Sequence, residues 1–333
     1  ISFSPREGIA FPQNPVNTFR GALGFQLKRV ACFQRAQTAC HTCLARFDCA
    51  YALTFETSSL PGFESLSSGG ETAPHPVVFS SGFSGPAFFE REKRFSFRVS
   101  LFGKATQILP HLVHALREAA NGGFTRRQVP CDLVGVRQID TGAEIYDPAR
   151  HTLFSYQATN LEISEPQGFS SEQLQVTLNF DTPTSFKDKK SGKVVNSIEF
   201  QRLVRSLARR YVALNAGTGE PMPTWDFRNV YGQAEKVQIV DSHLSTQFWE
   251  RYSQRQEQRT FLGGVVGAAT YEGDLRPFLP LLRLGELTHV GRGTIFGQGC
   301  YQITKIGVPL EDHPEPRPRQ PYHGHDSAQG LPS

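Results

Sequence analysis

Apolar residues recur at Phe19, Leu23, Leu27 and Val30, at spacings of four, four and three. That helical period predicts a helix over residues 19–35, with Asn17 or Thr18 placed to cap it. Residues 1–18, rich in Pro and Asn, read as a strand or arm leading inward. Residues 57–75 are a Ser/Gly/Pro-rich loop. Phe95, Phe97, Val99 and Leu101 then alternate with Ser96, Arg98 and Ser100, the pattern of a half-buried strand. Leu109 to Ala120 has a helical pattern, stopped by Asn121-Gly122-Gly123. Residues 131–138 and 143–146 read as a hairpin across Asp140-Thr141-Gly142.

A second round begins near Leu161. Leu174–Phe180 alternates as a strand, Lys187–Lys193 is a basic loop, and Ile198–Leu214 is an amphipathic helix. Strands follow over Val237–Val240 and Phe261–Tyr271, then a helix over Leu275–Leu287 and a short apolar strand over Cys300–Ile306. The order strand, helix, strand, strand, helix, strand is a split βαβ, and the first half is a poorer version of it. The expected fold class is α+β: two tandem ferredoxin-like (RRM-like) domains over residues 1–152 and 153–310. Residues 311–333, mixing Pro, His, Gly and Gln, read as a disordered tail.

Composition narrows the classes. The 333 residues are 38% hydrophobic, enough for two cores. No apolar run approaches the ~20 residues that span a bilayer, which argues against a membrane partner. The N-terminus lacks both a secretory plan and Met, which leaves room for a segment upstream. The net charge of +4 is compatible with nucleic acid, but a phosphate-binding surface has to come from local clusters. Of six Cys, four gather at Cys32, Cys40, Cys43 and Cys49. Without a secretory signal, a reducing, cytoplasmic setting fits better than a disulfide framework.

The densest signal is His289-Val-Gly-Arg-Gly-Thr-Ile-Phe-Gly-Gln-Gly-Cys-Tyr301, with glycines at 291, 293, 297 and 299 around Arg292. Such a loop can turn its amides toward an anion such as phosphate. It is neither a P-loop nor a dinucleotide fingerprint, because it joins a helix to a strand and lacks Lys-Ser/Thr. It follows Gly263-Gly264-Val-Val-Gly267 and Gly273-Asp-Leu-Arg-Pro-Phe-Leu-Pro-Leu-Leu-Arg-Leu-Gly285. This ordered run resembles the C-terminal signature of the CRISPR repeat-processing endoribonucleases of the RAMP superfamily. The resemblance extends to Arg20-Gly-Ala-Leu-Gly24, to the Cys cluster up to Cys49-Ala-Tyr51, and to Phe97–Gly103.

The resemblance implies two ferredoxin-like domains and metal-independent cleavage of a repeat RNA. The RNA's own 2′-hydroxyl would be the nucleophile, leaving a 2′,3′-cyclic phosphate and a 5′-hydroxyl. That chemistry needs a base, commonly His, and a cation for the developing charge. His41, in the N-terminal domain where relatives tend to carry the catalytic His, is the first candidate, with Lys28, Arg29 or Arg35 of the preceding helix to supply the cation and Tyr51 nearby in sequence. The alternative for His41 is an ordinary loop residue. His289 is the second candidate base, or else a residue that hydrogen-bonds its own loop.

Candidate RNA contacts are Arg126 and Arg127, the loop residues Lys187, Lys189, Lys190 and Lys193, and Arg251 and Arg255 in a run that resembles a family motif. Arg292 and its loop glycines Gly291, Gly293, Gly297 and Gly299 complete the set, although the loop has a second reading as tight packing against the neighbouring domain. Aromatic residues of the predicted strands read as core, not as a base-stacking platform. The C-x7-C-x2-C-x5-C cluster is either a structural zinc site of Cys32, Cys40, Cys43 and Cys49 or four packed thiols. No cofactor is expected for catalysis.

Three functions compete. The first is an endoribonuclease of CRISPR repeat RNA that hands its product to effector-complex subunits, acting as a monomer or homodimer. The second is a non-catalytic RNA-binding subunit of such a complex. The third is an adaptor that docks a partner through the Cys module.

Overall fold

The computed structural model describes residues 1–34, 40–56, 75–170, 172–187, 191, 193–216, 223–253 and 258–309, with 250–253 and 258–261 given by backbone alone. The first half runs β1 (Ser2–Pro5), β2 (Ile9–Phe11), α1 (Pro15–Ala31), α2 (Ala50–Phe55), β3 (Val77–Ser81), β4 (Ala87–Phe89), β5 (Phe95–Leu101), α3 (Leu109–Gly122) and β6 (Cys131–Gly135). A small hairpin of β7 (Tyr146–Asp147) and β8 (Thr152–Leu153) follows. The second half runs β9 (Leu174–Thr184), β10 (Phe186–Lys187), β11 (Val194–Val195), α4 (Phe200–Ala216), α5 (Phe227–Glu235), β12 (Gln238–Ser253), β13 (Gln258–Gly273), α6 (Leu279–Thr288) and β14 (Tyr301–Gly307).

The sheet orders are β3-β5-β1-β6 and β12-β13-β9-β14, antiparallel throughout. Both are the split-βαβ arrangement, so the chain carries two tandem ferredoxin-like folds. The aromatics of the first sheet are core: Phe3, Phe79 and Phe97 are buried with Phe19 of α1, and the Phe19 and Phe97 rings stack at 4.1 Å. Buried ring pairs of this kind supply much of a core's area burial.

The predicted buried face of α1 holds at Phe19, Leu23 and Leu27, but the helix spans Pro15–Ala31 instead of 19–35. Its cap is Asn14, whose Oδ1 accepts from the Asn17 amide at 3.1 Å. Pro15 follows at N1, where its missing N–H costs nothing. Asn17 and Thr18 are therefore inside the first turn. At the other end Cys32 is extended (φ −90°, ψ 111°).

In the second half the strands expected at 237–240 and 261–271 are segments of one long hairpin, paired from Gln238↔Glu272 to Ser253↔Gln258. Its backbone ladder carries Asp241, His243, Ser245 and Thr246 with exposed side chains, so hydrophobic alternation underestimates its length. Helix α5 is also absent from the hydrophobic reading. Asp226 caps it, accepting from Arg228 N and Asn229 N, and Val230 and Ala234 bury one side. The tail at 311–333 and the loop at 57–74 lie outside the described residues.

Each half has its own core, and Ile295 and Phe296 of the second half pack with the first. Ile295, from the Gly-rich loop of the second half, is 8% exposed and packs in the first core beside Val16 and Phe19. In return Phe102, at the end of β5, packs against the second core.

Gly285 tests the packing of α6. A Cβ there would run into the Tyr301 hydroxyl and stand 2.7 Å from Leu207 Cδ2. That hydroxyl is committed to Leu282 O at 2.6 Å. Alanine improves helix propensity by about 1 kcal/mol, but overpacking typically costs 1–3 kcal/mol. Gly285→Ala is expected to lower the urea midpoint of the full chain, and an unchanged or raised midpoint would contradict the packing described.

Candidate active site

The Gly-rich loop leaves α6 at His289, whose φ of 58° turns the chain out of the helix. The loop spends its amides on the protein. Val290 N donates to Gly299 O at 2.9 Å, Arg292 N to Ser185 O at 2.9 Å, Phe296 N to Gly293 O at 2.8 Å, Gly297 N to Thr294 O at 3.0 Å and Gly299 N to Pro183 O at 3.2 Å. Gly291 N donates to Ser206 Oγ at 3.0 Å and Cys300 N to Thr182 Oγ1 at 2.9 Å. The expected anion cradle of loop amides is therefore corrected: most of the amides are committed internally.

The glycines serve close packing. Gly297 has φ 80°, and a Cβ on it would lie 2.9 Å from Val16 Cγ2 across the domain boundary. Gly299 has φ 71°, and its Cβ would run into Val290 O. Only glycine meets both demands at such positions. Asn14 completes the dock: its Oδ1 caps α1 while its Nδ2 donates to Phe296 O at 3.2 Å. Arg292, by contrast, extends from the loop with its side chain exposed.

His289 is 1% exposed, and its Nδ1 lies 3.1 Å from Gln298 O, the geometry of an Nδ1–H donor to a carbonyl. Burial, then the Arg210 charge, lowers its pKa to about 3, against the Gln298 hydrogen bond, which raises it. The second candidate base thus sits inside the protein as a strut of the loop, with no face open to a substrate.

The first candidate is differently placed. α2 packs on α1, and Lys28 Nζ stands 5.6 Å from the centre of the Tyr51 ring. His41, in the short turn Cys40–Thr42, is exposed. Its neighbour Cys40 has a thiol pKa raised by burial and by the Glu56 charge, with Lys28 opposing, so Lys28 lies within electrostatic reach of that turn. Lys28 and Tyr51 thus sit side by side in the first domain, and His41 follows Cys40 in the neighbouring turn. Arg20 and Phe55, beside Tyr51, escaped the reading of chemistry. Arg20 was visible only as part of a motif.

The Cys cluster is corrected as a zinc site. Among the described residues no three His, Cys, Asp or Glu side chains group as metal ligands. Cys32 follows α1, Cys49 starts α2, and Cys43 Sγ points at Gln34 Oε1 (3.7 Å). All four are free thiols.

Among the expected RNA contacts, Arg126 and Arg127 are exposed in the turn between Phe124 and Val129. Lys187, at the end of β10, and Lys193, just before β11, are exposed. Arg251 lies in β12 opposite Thr260. Lys189, Lys190 and Arg255 lie outside the described residues, as does Arg35. Among the described residues no helix is long and apolar enough to cross a membrane.

Residues 178–301 match the family model described as CRISPR-associated endoribonuclease Cas6, and residues 1–159 match one described as AF_1859_N, N-terminal domain. The second half of the chain is thus similar to the Cas6 endoribonucleases. The Cas6 match contains the whole Gly-rich loop and most of the second ferredoxin-like fold. No curated protein matches the sequence. Among solved structures, a product complex of Cas6 (TTHB231) of Thermus thermophilus is 16% identical, with 90% of this chain and 97% of that chain covered and a TM-score of 0.53. A partial Cas6-RT-Cas1–Cas2 complex is 13% identical, with 93% of this chain and 45% of that one covered and a TM-score of 0.50. At these identities the likeness is one of fold.

The buried His289 predicts a pH dependence of stability. Its folded pKa of about 3 lies below the ordinary 6.5, so only the unfolded chain takes up the proton between those values. The stabilisation is complete above pH 6.5 and is lost progressively as pH falls toward 3. His75, lowered to about 4 by burial and by Arg20, acts in the same direction. The urea midpoint should drop from pH 7 to pH 5, and His289→Asn should drop less over that interval. An equal slope in the two proteins would remove His289 from the account.

Proposed function

We propose that this chain is a metal-independent endoribonuclease that binds CRISPR repeat RNA (pre-crRNA) and cuts it by attack of the RNA's own 2′-hydroxyl. What supports the reading is an exposed His41 in the turn beside Cys40, and Lys28 over the Tyr51 ring, in a chain whose residues 178–301 match the Cas6 model. His41 takes the proton from the 2′-oxygen, that oxygen bonds to phosphorus, and the bond to the 5′-oxygen breaks. The leaving 5′-oxygen gains a proton, and the ends are a 2′,3′-cyclic phosphate and a 5′-hydroxyl. Lys28 offsets negative charge on the phosphate, and Tyr51 packs on Lys28 and holds its ammonium in place.

RNA affinity comes mainly from exposed cations that neutralise phosphates. Arg126, Arg127, Lys187, Lys193 and Arg292 fit that role by their exposure. The likeness to a Cas6 product complex supports continued hold on the product, which the protein then passes to other CRISPR proteins.

The decisive assay is incubation with labelled repeat RNA in EDTA, beside a substrate with a single 2′-deoxy at the cut nucleotide. The all-ribose RNA should be cut and the deoxy RNA left intact. Loss of the base should slow cleavage by about 10²-fold or more, so His41→Ala should bind RNA as before and cleave at least that much more slowly. Binding without cleavage of either substrate would sink the proposal in favour of a non-catalytic subunit.

Arg292→Ala has a separate signature. Removing one phosphate contact should reduce the slope of log affinity against log salt by about 0.7 on single-stranded RNA. An unchanged slope would exclude Arg292 from the RNA surface.

A further inference from the structure

Arg20, Gly24 and Lys28 follow one another at four-residue steps along α1, so they form one stripe of that helix. α2 lies on the stripe, with Phe55 and Tyr51 one turn apart and their ring centres 5.3 Å apart. Each position has a fitted partner. The Arg20 guanidinium covers the Phe55 ring at 4.9 Å. A Cβ on Gly24 would stand 3.3 Å from Phe55 Cζ, so glycine lets the ring come close. Lys28 Nζ lies over Tyr51 at 5.6 Å.

The guanidinium of Arg20 has a second aromatic neighbour. It lies 4.8 Å from the Phe296 ring, which the Gly-rich loop brings over from the other domain. Phe296 is itself fixed by Asn14 Nδ2 through its carbonyl and by its neighbour Ile295 in the first core. A planar cation between two rings transmits position from one to the other, because guanidinium stacks on aromatic faces while an ammonium acts as a compact point charge.

We infer that Arg20 is a positioning residue: clamped between Phe296 and Phe55, it lets docking of the Gly-rich loop set the placement of α2, and with it Tyr51 and Lys28. The inference rests on the proposed role of those residues in cleavage. The path is continuous, from Phe296 to Arg20, Phe55, Tyr51 and Lys28. It also gives the Arg20-Gly-Ala-Leu-Gly24 segment a physical purpose as the seat for Phe55.

The test compares full-length wild type with Arg20→Met, Arg20→Lys, Phe296→Leu and the double variant Arg20→Met/Phe296→Leu. The readouts are single-turnover cleavage at saturating repeat RNA, RNA affinity, and hydrogen exchange of the 50–56 segment. Arg20→Met and Phe296→Leu should each slow cleavage about tenfold with affinity within twofold, and each should speed exchange in α2. Arg20→Lys should not restore the rate. The double variant should be no slower than the worse single, since coupled residues are non-additive.

Additive losses, or faster exchange in Arg20→Met alone, would overturn the inference and reduce Arg20 to local packing. If His41→Ala abolishes cleavage while Arg20→Met and Phe296→Leu cleave normally, the inference falls and the proposed function stands. If wild type never cleaves, the proposed function falls, and the α2 exchange of Phe296→Leu alone decides whether Arg20 links the two domains.

Discussion

The structure depends on the insertion of one loop of the second domain into the core of the first. Ile295 is buried beside Val16 and Phe19, Gly297 lies against Val16, and Asn14 holds the Phe296 carbonyl. Close-packed interiors tolerate little displacement, so this seat fixes the relation of the two ferredoxin-like folds. Asn14 ties the dock to helix formation, since the same side chain caps α1 with one atom and grips the loop with another. The start of α1 and the docking of the second domain are one local arrangement.

The dock explains why the loop is so rich in glycine. Its turns need left-handed φ values, and its neighbours leave no volume for side chains. Committed amides leave little for an anion, whereas the Arg292 side chain stays exposed. The buried His289 belongs to the same economy: a neutral ring hydrogen-bonded to Gln298 O holds the loop's two ends together. An imidazole kept neutral by burial suits a strut, whereas a base for a bulky RNA has to be open to it. His41 has that openness.

What the sequence made legible follows from periodicity. The Phe19, Leu23 and Leu27 face, the Phe95 to Leu101 alternation and the amphipathic face of α4 are repeats with a direct geometric meaning; the two helix faces are buried as expected, as are Phe95 and Phe97, while Val99 and Leu101 are half-buried. The Gly123 stop of α3 (φ 88°) is equally local. The β12–β13 hairpin was only partly legible, because ladder hydrogen bonds pair any side chains and its exposed residues carry no hydrophobic signal. Cysteine spacing misled for a related reason. Spacing along the chain limits where thiols can go, but it does not bring them into a ligand set, and among the described residues no three His, Cys, Asp or Glu side chains group as one.

The amino-acid sequence by itself determined the two split-βαβ folds, most of their core faces, the cationic residues available for RNA and the family resemblance. Each of these resides in short windows, where steric and hydrophobic rules act on neighbouring residues. Only tertiary structure decided the roles within those windows. It separated an exposed His41 from a buried His289, turned a loop of apparent phosphate-binding type into an interdomain dock, and brought Arg20 between Phe55 and Phe296 from segments more than 200 residues apart. Burial and contact between distant segments follow from how the whole chain closes on itself, and no local pattern contains them.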